Sequence, residues 1–409
     1  MIYRKISTPI DSKLAWIRLS LVCLMCLIGC VGMWSVVIIM PAIQTEFKID
    51  RSVTTIPYIL TMLGFGLGNV FVGKYVDKYG IIKPIIFAFI SLIIVYFISI
   101  FATNIIILSF FQFILGFSSA TFFGPMMADI TKFFAKKKGL AVSMVASSQH
   151  LAGATWPFLL HFFLSDGNWR IAHIFIGVFC FITVPPLCYF IFKMKLENQE
   201  QVLNKDANFQ INFKLPISNK SFQILLMIAG VGCCVSMSTP QVHIIPLCID
   251  NGYNLEIGTN ILSIMLFCAA VSRIIYGYIA DKIGPLETLL LASSLQAITI
   301  FMYIPFNDLT SLYIISILFG LVQGGIVPSY ALIISKYLPK NEVAERVGLV
   351  ILMTVIGMSI GGWMSGKIFD LTNSYTLGFL NSFVWNISNI IIIVIIFLMI
   401  KKSDKKLHV

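Results

Sequence analysis

Residues Gly73-Lys74-Tyr75-Val76-Asp77-Lys78-Tyr79-Gly80 return 204 positions later as Gly277-Tyr278-Ile279-Ala280-Asp281-Lys282-Ile283-Gly284. The same offset carries Gly116 onto Gly320, Lys132 onto Lys336 and Lys136 onto Lys340, so one half of the chain is a divergent copy of the other. A hydrophobic stretch precedes each turn, and working outward from the two turns uncovers more. Twelve spans result, at residues 16–40, 54–76, 82–101, 105–131, 138–163, 171–193, 221–248, 257–280, 287–305, 309–337, 344–369 and 375–400. Apolar stretches of about 18–25 residues cross a hydrocarbon layer ~30 Å thick at ~1.5 Å per residue. Six spans per copy bring both copies in from the same side. The expected arrangement is therefore two parallel repeats about an axis along the membrane normal, with a solute site between them near mid-depth.

Composition supports that solvent. Of 409 residues, 58% are hydrophobic and 11% charged, which leaves a soluble fold too little polar surface to cover its core. Continuous apolar runs without strict alternation select helices over a barrel, since a helix satisfies its own backbone hydrogen bonds. The fold expected is an all-α membrane protein of twelve transmembrane helices in two six-helix bundles, residues 1–194 and 221–409. A polar linker at 195–220, rich in Asn, Gln and Lys, joins them. The first run is too long for a signal-peptide core and reads as helix 1. The nine cysteines lie almost wholly inside spans and read as small packing residues. Cys23 and Cys26 have C-x-x-C spacing but no second ligand pair in aqueous surroundings, so neither a metal nor a cofactor is expected.

A net charge of +11 suggests nucleic acid, yet the bases fall in short loops and report topology instead. One side carries Arg4, Lys5, Lys13, Arg18, Lys74, Lys78, Lys83, Lys132, Lys136, Lys137, Lys138, the linker lysines, Lys282, Lys336, Lys340, Arg346 and the Lys401 to Lys406 tail. The other carries only Lys48, Arg51, Arg170 and Lys367. The positive-inside rule then places both termini in the cytoplasm of a cell whose inner (plasma) membrane holds the chain, and an even number of spans requires the same.

In the repeated turn the glycines permit a tight reversal and close helix approach, while the aspartate can cap a helix start or pair with a base. Gly-x-x-x-Asp-Lys-x-Gly resembles the signature loop of the major facilitator superfamily. That resemblance implies that Asp77 and Asp281, set by Gly73, Gly80, Gly277 and Gly284, latch a cytoplasmic gate. Further likeness lies in Met40-Pro41-Ala42-Ile43-Gln44, Pro57-Tyr58, Gly64-Phe65-Gly66, Gln149 through Gly153 to Trp156-Pro157, Asn168-Trp169-Arg170, and Ser272-Arg273 leading into Gly277. These resemble bacterial members of the monocarboxylate-transporter-like branch and imply a small organic anion as solute. One departure matters: eukaryotic carriers of that branch pair the span-eight arginine with an aspartate one turn earlier and place a lysine in span one. Here that turn holds Ala269, and span one has no lysine past its start, so the branch's proton-coupling arrangement is not reproduced.

Independently of any resemblance, Arg273 stands out as a charge deep in a span. It lies eight residues before Asp281, about 12 Å along the helix, and insertion of an arginine there costs at least ~2.5 kcal/mol. Either it clamps a carboxylate with its planar fork, or it snorkels to the surface or bonds a backbone carbonyl. His150 is the first candidate for a proton carrier, with Asp129, His161, His173 and His243 behind it; a lone histidine is otherwise a hydrogen-bonded packing residue. Trp34, Tyr58, Gln149, Trp156 and Gln323 either touch solute or bond between helices. Gly357, Gly361 and Gly362 read as close packing. The functional expectation is a monomeric secondary carrier in the lipid bilayer that moves a small carboxylate by alternating access, with a coupling ion or counter-substrate left open. The alternatives are a carrier of a zwitterionic or neutral solute with Arg273 structural, or an integral-membrane enzyme or receptor. No catalytic cluster of acids, histidines or nucleophile and base supports an enzyme, and no soluble effector domain supports a receptor.

Of the 29 bases, four lie on the far side and one, Arg273, within a span, leaving 24 on the side of the termini. A cytoplasm-active reporter fused at Val409 is expected to be active; activity only from a reporter that works outside the cell would overturn this topology.

Overall fold

A computed structural model describes residues 6–134, 137–164, 167–196, 217–306, 308–339 and 343–407. Among them run α1 (Lys13–Phe47), α2 (Arg51–Val76), α3 (Ile82–Ser99), α4 (Ile105–Phe133), α5 (Lys138–Leu160) and α6 (Trp169–Lys193). The second set comprises α7 (Asn219–Asp250), α8 (Leu255–Ile283), α9 (Pro285–Met302), α10 (Leu309–Tyr337), α11 (Arg346–Thr372) and α12 (Thr376–Lys402). Eleven are long and apolar enough to cross a membrane. The other is α5, in which Ser143, Ser147, Ser148, Gln149, His150 and Thr155 interrupt the apolar run. Most of the expected linker, residues 197–216, lies outside the described residues. Helix termini follow capping chemistry: Ser12, Asn104, Ser218, Asn254 and Asp308 each accept a backbone N–H from the first turn of the helix they precede. One pair of three-residue strands, β1 (Ile6–Thr8) and β2 (Met194–Leu196), runs parallel where the chain enters α1 and leaves α6.

The sequence repeat is a repeat of contacts. A Cβ added to Gly116 would lie 2.0 Å from the Thr61 carbonyl oxygen, and one on Gly320 would lie 2.1 Å from that of Met265. Both members of the first pair map onto the second at an offset of 204, so α4 crosses α2 at the point where α10 crosses α8. The next turn repeats the crossing with the glycine exchanged: Gly68 meets Ala120 in one half, and Gly324 meets Ser272 in the other. Near these contacts both crossing helices break, α4 through a tight turn at Ala120–Phe122 and α10 at Gly324-Gly325. The motif glycines that end the helices also match, Gly80 at φ +80° and Gly284 at φ +100°, a conformation in which a side chain is strained. Without a hydrophobic force between helices in lipid, such close backbone contact is a main source of association. Gly357 and Gly361 serve α7 against α11 in the same way, abutting the Val231 and Val235 carbonyls.

Helices α3, α6, α9 and α12 turn large apolar side chains outward, among them Phe87, Ile94, Phe181, Ile182, Ile298, Phe301, Ile391 and Leu398. The two halves meet where α2 packs on α11 and α5 on α8.

Gly116→Val and Gly320→Val are each expected to cost about 1–3 kcal/mol by overpacking, with lower melting temperature and folded yield. Gly73→Ala, where a Cβ meets no atom within 4 Å, is the control expected to fold normally. Equal stability of all three in detergent melts would contradict the crossing.

Candidate functional site

At the α5–α8 contact Arg273 is 5% exposed, and its Nη1 donates to the Ala146 carbonyl at 2.7 Å. Its Nε has no partner, and no carboxylate among the described residues forms an ion pair with it. Ser147 and His150, beside and one turn beyond Ala146, add a buried hydroxyl and a ring Nδ1 that are likewise unpartnered. Trp34 of α1 faces the same turns: its Nε1 donates to the Gln149 carbonyl at 2.9 Å, and its ring centroid is 6.4 Å from that of His150. Gly153 makes room for this, because a Cβ there would lie 2.5 Å from Trp34 and 2.7 Å from Leu266. The Gln149 side chain turns instead to the Met33 sulfur. Three helices thus bring Trp34, Gln149 and His150 together beside Arg273, a cation that has a carbonyl and no described acid.

The remaining candidates fall elsewhere. Tyr58 is buried at the α2–α11 seam, its ring against Gly362 and its hydroxyl unpartnered. Gln323 of α10 accepts from Gln241 of α7, which leaves the Gln323 Nε2 and Gln241 Oε1 without partners. Trp156 lies inside the first half, where its Nε1 donates to the Leu27 carbonyl and its ring packs edge-on against Phe179. Among the motif residues, Asp281 is exposed, Gly277 approaches α5 no closer than ordinary contact with Ser143, and the Asp77 side chain lies outside the described residues. The secondary proton candidates are engaged: Asp129 pairs with Arg18 at 2.8 Å, His173 bonds Ser99 at 2.7 Å, and His243 bonds the Gly362 carbonyl at 2.8 Å and Tyr375 at 3.2 Å. His161 bonds the Phe158 carbonyl.

By sequence Arg51 is only a topology marker, whereas in the fold it holds the halves together on the face away from the termini. Its two terminal nitrogens donate to both oxygens of Asp250 at the end of α7. Nη1 also donates to the Tyr375 hydroxyl at 2.9 Å, Nε to Gln44 at 3.2 Å, and the guanidinium lies 4.3 Å from the Phe369 ring centroid. Asp370 of α11 accepts the Arg51 and Ser52 backbone N–H groups, each at 2.9 Å, so a carboxylate of one half caps the first turn of a helix in the other. The only hint in sequence is an arginine and two aspartates at span ends on the base-poor side.

The Major Facilitator Superfamily profile matches residues 22–362 and again 244–408, the second match falling on the second repeat. MFS-type transporter pynF of Aspergillus niger is 21% identical over 322 residues, 77% of this chain and 72% of that protein. Monocarboxylate transporter 13 of Rattus norvegicus is 22% identical over 275 residues, 64% of this chain and 61% of that protein. The likeness to bacterial carriers expected from sequence is thus met by fungal and mammalian proteins at low identity. Among solved structures, a bacterial homolog of the human lysosomal transporter Spinster, inward-facing and occupied, superposes with a TM-score of 0.68 at 13% identity, covering 97% of this chain and 98% of that one.

Proposed function

Because the chain belongs to the major facilitator superfamily, and is thereby a multi-pass membrane transporter and not an enzyme, we propose that it carries a small organic anion of the monocarboxylate type by alternating access. One observation carries the anion: Arg273 is buried with a backbone carbonyl for company and no described carboxylate to neutralise it. A guanidinium removed from water without a counter-charge is costly, and its fork matches a carboxylate bidentately. The solute completes that charge balance, with Trp34 and His150 as the adjacent wall. The relative named Monocarboxylate transporter 13 supports the same class.

In this reading the face with the termini is cytoplasmic in an inner (plasma) membrane, and the Arg51 clasp closes the outer side. The halves, residues 1–194 and 221–409, rock about the α5–α8 and α2–α11 seams as a monomer. Asp77 and Asp281 latch the inner side in the alternate state. His150 is the group best placed to carry a coupling proton, since its unpartnered Nδ1 lies at the α5–α8 seam, whereas His173, whose Nε2 is also unpartnered, is packed against Ser99 and Tyr96 inside the first half.

A second reading rests on one bond. Arg273 already donates to Ala146, and a role limited to tying α5 to α8 would suit a neutral or zwitterionic solute. Uptake and binding by Arg273→Lys and Arg273→Ala separate the two. The anion reading expects both proteins to fold, the lysine form to lose most transport, and the alanine form to bind a carboxylate at least about ten-fold more weakly, as loss of a charge-assisted bidentate contact requires. Undiminished carboxylate binding by folded Arg273→Ala would favour the structural role.

A further inference from the structure

We propose that Arg51 is a second carboxylate site, at the outer mouth, where an arriving solute displaces Asp250 from the guanidinium and opens the clasp as it binds. The inference rests on the anion class and orientation proposed above, and concerns a different part of the molecule from Arg273.

Two independent features point there. The first is a cavity of about 260 Å³ on the clasp face, walled by Pro41, Gln44 and Thr45 of α1, Arg51 of α2, and Pro246 and Ile249 of α7. Arg51 is its single charged lining residue. Gln44 and Thr45 supply polar contacts, and the two prolines with Ile249 form an apolar wall. A cation in the lining of a small, open, partly apolar cleft suits an acid head on a short hydrocarbon chain. A dication or a sugar would leave either the charge or the apolar wall unmatched.

The second feature is that Arg51 already binds a carboxylate, and the one it binds is replaceable. Asp250 spans both terminal nitrogens, which shows that the fork can accept a bidentate acid in this position. Its side chain is 30% exposed against 10% for Arg51, so water and solute reach the acid while the arginine stays enclosed. Asp250 is also the last residue of α7, where the unpaired carbonyls at the helix end disfavour an anion. A free carboxylate taking its place makes the same contacts and adds burial of its hydrocarbon chain against Pro41, Pro246 and Ile249, while Asp250 goes to water. Asp370 holds the other attachment differently, through backbone N–H groups at the start of α2, where an anion is favoured. Exchange at Asp250 therefore releases α2 from α7 first and leaves the α2–α11 contact to yield after it. A solute that binds only the exchanged state shifts the population toward the open clasp, as any ligand with differential affinity must.

The test uses the full-length carrier in nanodiscs with propionate as probe and propionamide as its uncharged counterpart. Ser52→Cys is the reporter: Ser52 is 6% exposed, its Cα lying 3.2 Å from a Cβ built on Gly366, and so the site is reached when the clasp parts. Its reaction with a hydrophilic maleimide is measured above the background of the unsubstituted protein. Propionate is expected to speed labelling by about ten-fold for a ten-fold preference for the open clasp, with propionamide inert. Asp250→Asn, which removes the internal competitor, is expected to label fast without propionate. Arg51→Lys should lose the response; should it fail to fold, Asp250→Asn against the parent still decides. The acceleration should also persist in Arg273→Ala. Acceleration that vanishes in Arg273→Ala would mean the signal comes from the central site, which overturns this inference and leaves the central one standing. The outer site is equally overturned if propionate binds the parent in an Arg273-dependent way yet leaves labelling unchanged, or if propionamide acts as well as propionate. No binding of propionate to the parent at all would overturn both.

Discussion

Inside a membrane a charge without a partner is the most expensive thing a helix can carry, and this molecule treats its arginines accordingly. Arg18 meets Asp129, Arg170 meets Glu46 through both oxygens, and Arg51 meets Asp250. The first two pairs tie helices within the first half, and the third ties α2 to α7 across the halves. Arg273 alone of the four pairs with no acid among the described residues, and it lies where the two halves touch. In the anion reading proposed above, a site short of one negative charge on the seam between the halves is what the carrier needs: a bound carboxylate would remove the cost of the buried guanidinium.

The surrounding structure divides into parts that should stay rigid and parts that can part. Within each half, glycines bring backbones to contact distance at matching places, Gly116 on Thr61 and Gly320 on Met265. Buried amides and hydroxyls add to this in the second half, where Asn386 and Asn389 of α12 bond Ser293 of α9, and Tyr330 bonds Asn389. Between the halves the bonding is sparser: one carbonyl for Arg273, and at the far face Asp250 and Tyr375 on the Arg51 guanidinium with Asp370 on the Arg51 and Ser52 backbone N–H groups. Rigid bodies joined by few polar contacts move against each other at small cost, whereas a change inside a body would break close packing.

Much of this was legible in the chain because the repeat leaves local marks. The glycine–aspartate turns, the spans and the pairing of Gly116 with Gly320 need only periodicity and hydropathy, and α5 counts as a span despite its polarity because apolar spans bracket it. Arg273 was visible as a charge surrounded by apolar residues. The clasp was not, since Arg51 finds Asp250 at a separation of 199 residues and Asp370 at 319. The pairing of Arg18 with Asp129, 111 residues apart, was hidden in the same way, which is why Asp129 looked free to carry a proton. Helix breaks at Cys30 and Ala120 also escaped, because the apolar run continues through them. Spacing showed Trp156 to be in a span without showing that it faces the inside of its own half.

The central claim is that an anion completes the charge at the seam between the halves. Thermal unfolding of the purified carrier with a panel of small carboxylates, their uncharged amides and amino acids tests it whatever the solute proves to be. A ligand that binds only the folded protein stabilises it by mass action, about 2.7 kcal/mol at a hundred times its dissociation constant. At least one carboxylate is predicted to raise the melting temperature while its amide does not. A panel in which the amides or zwitterions stabilise the protein and no carboxylate does would contradict the claim.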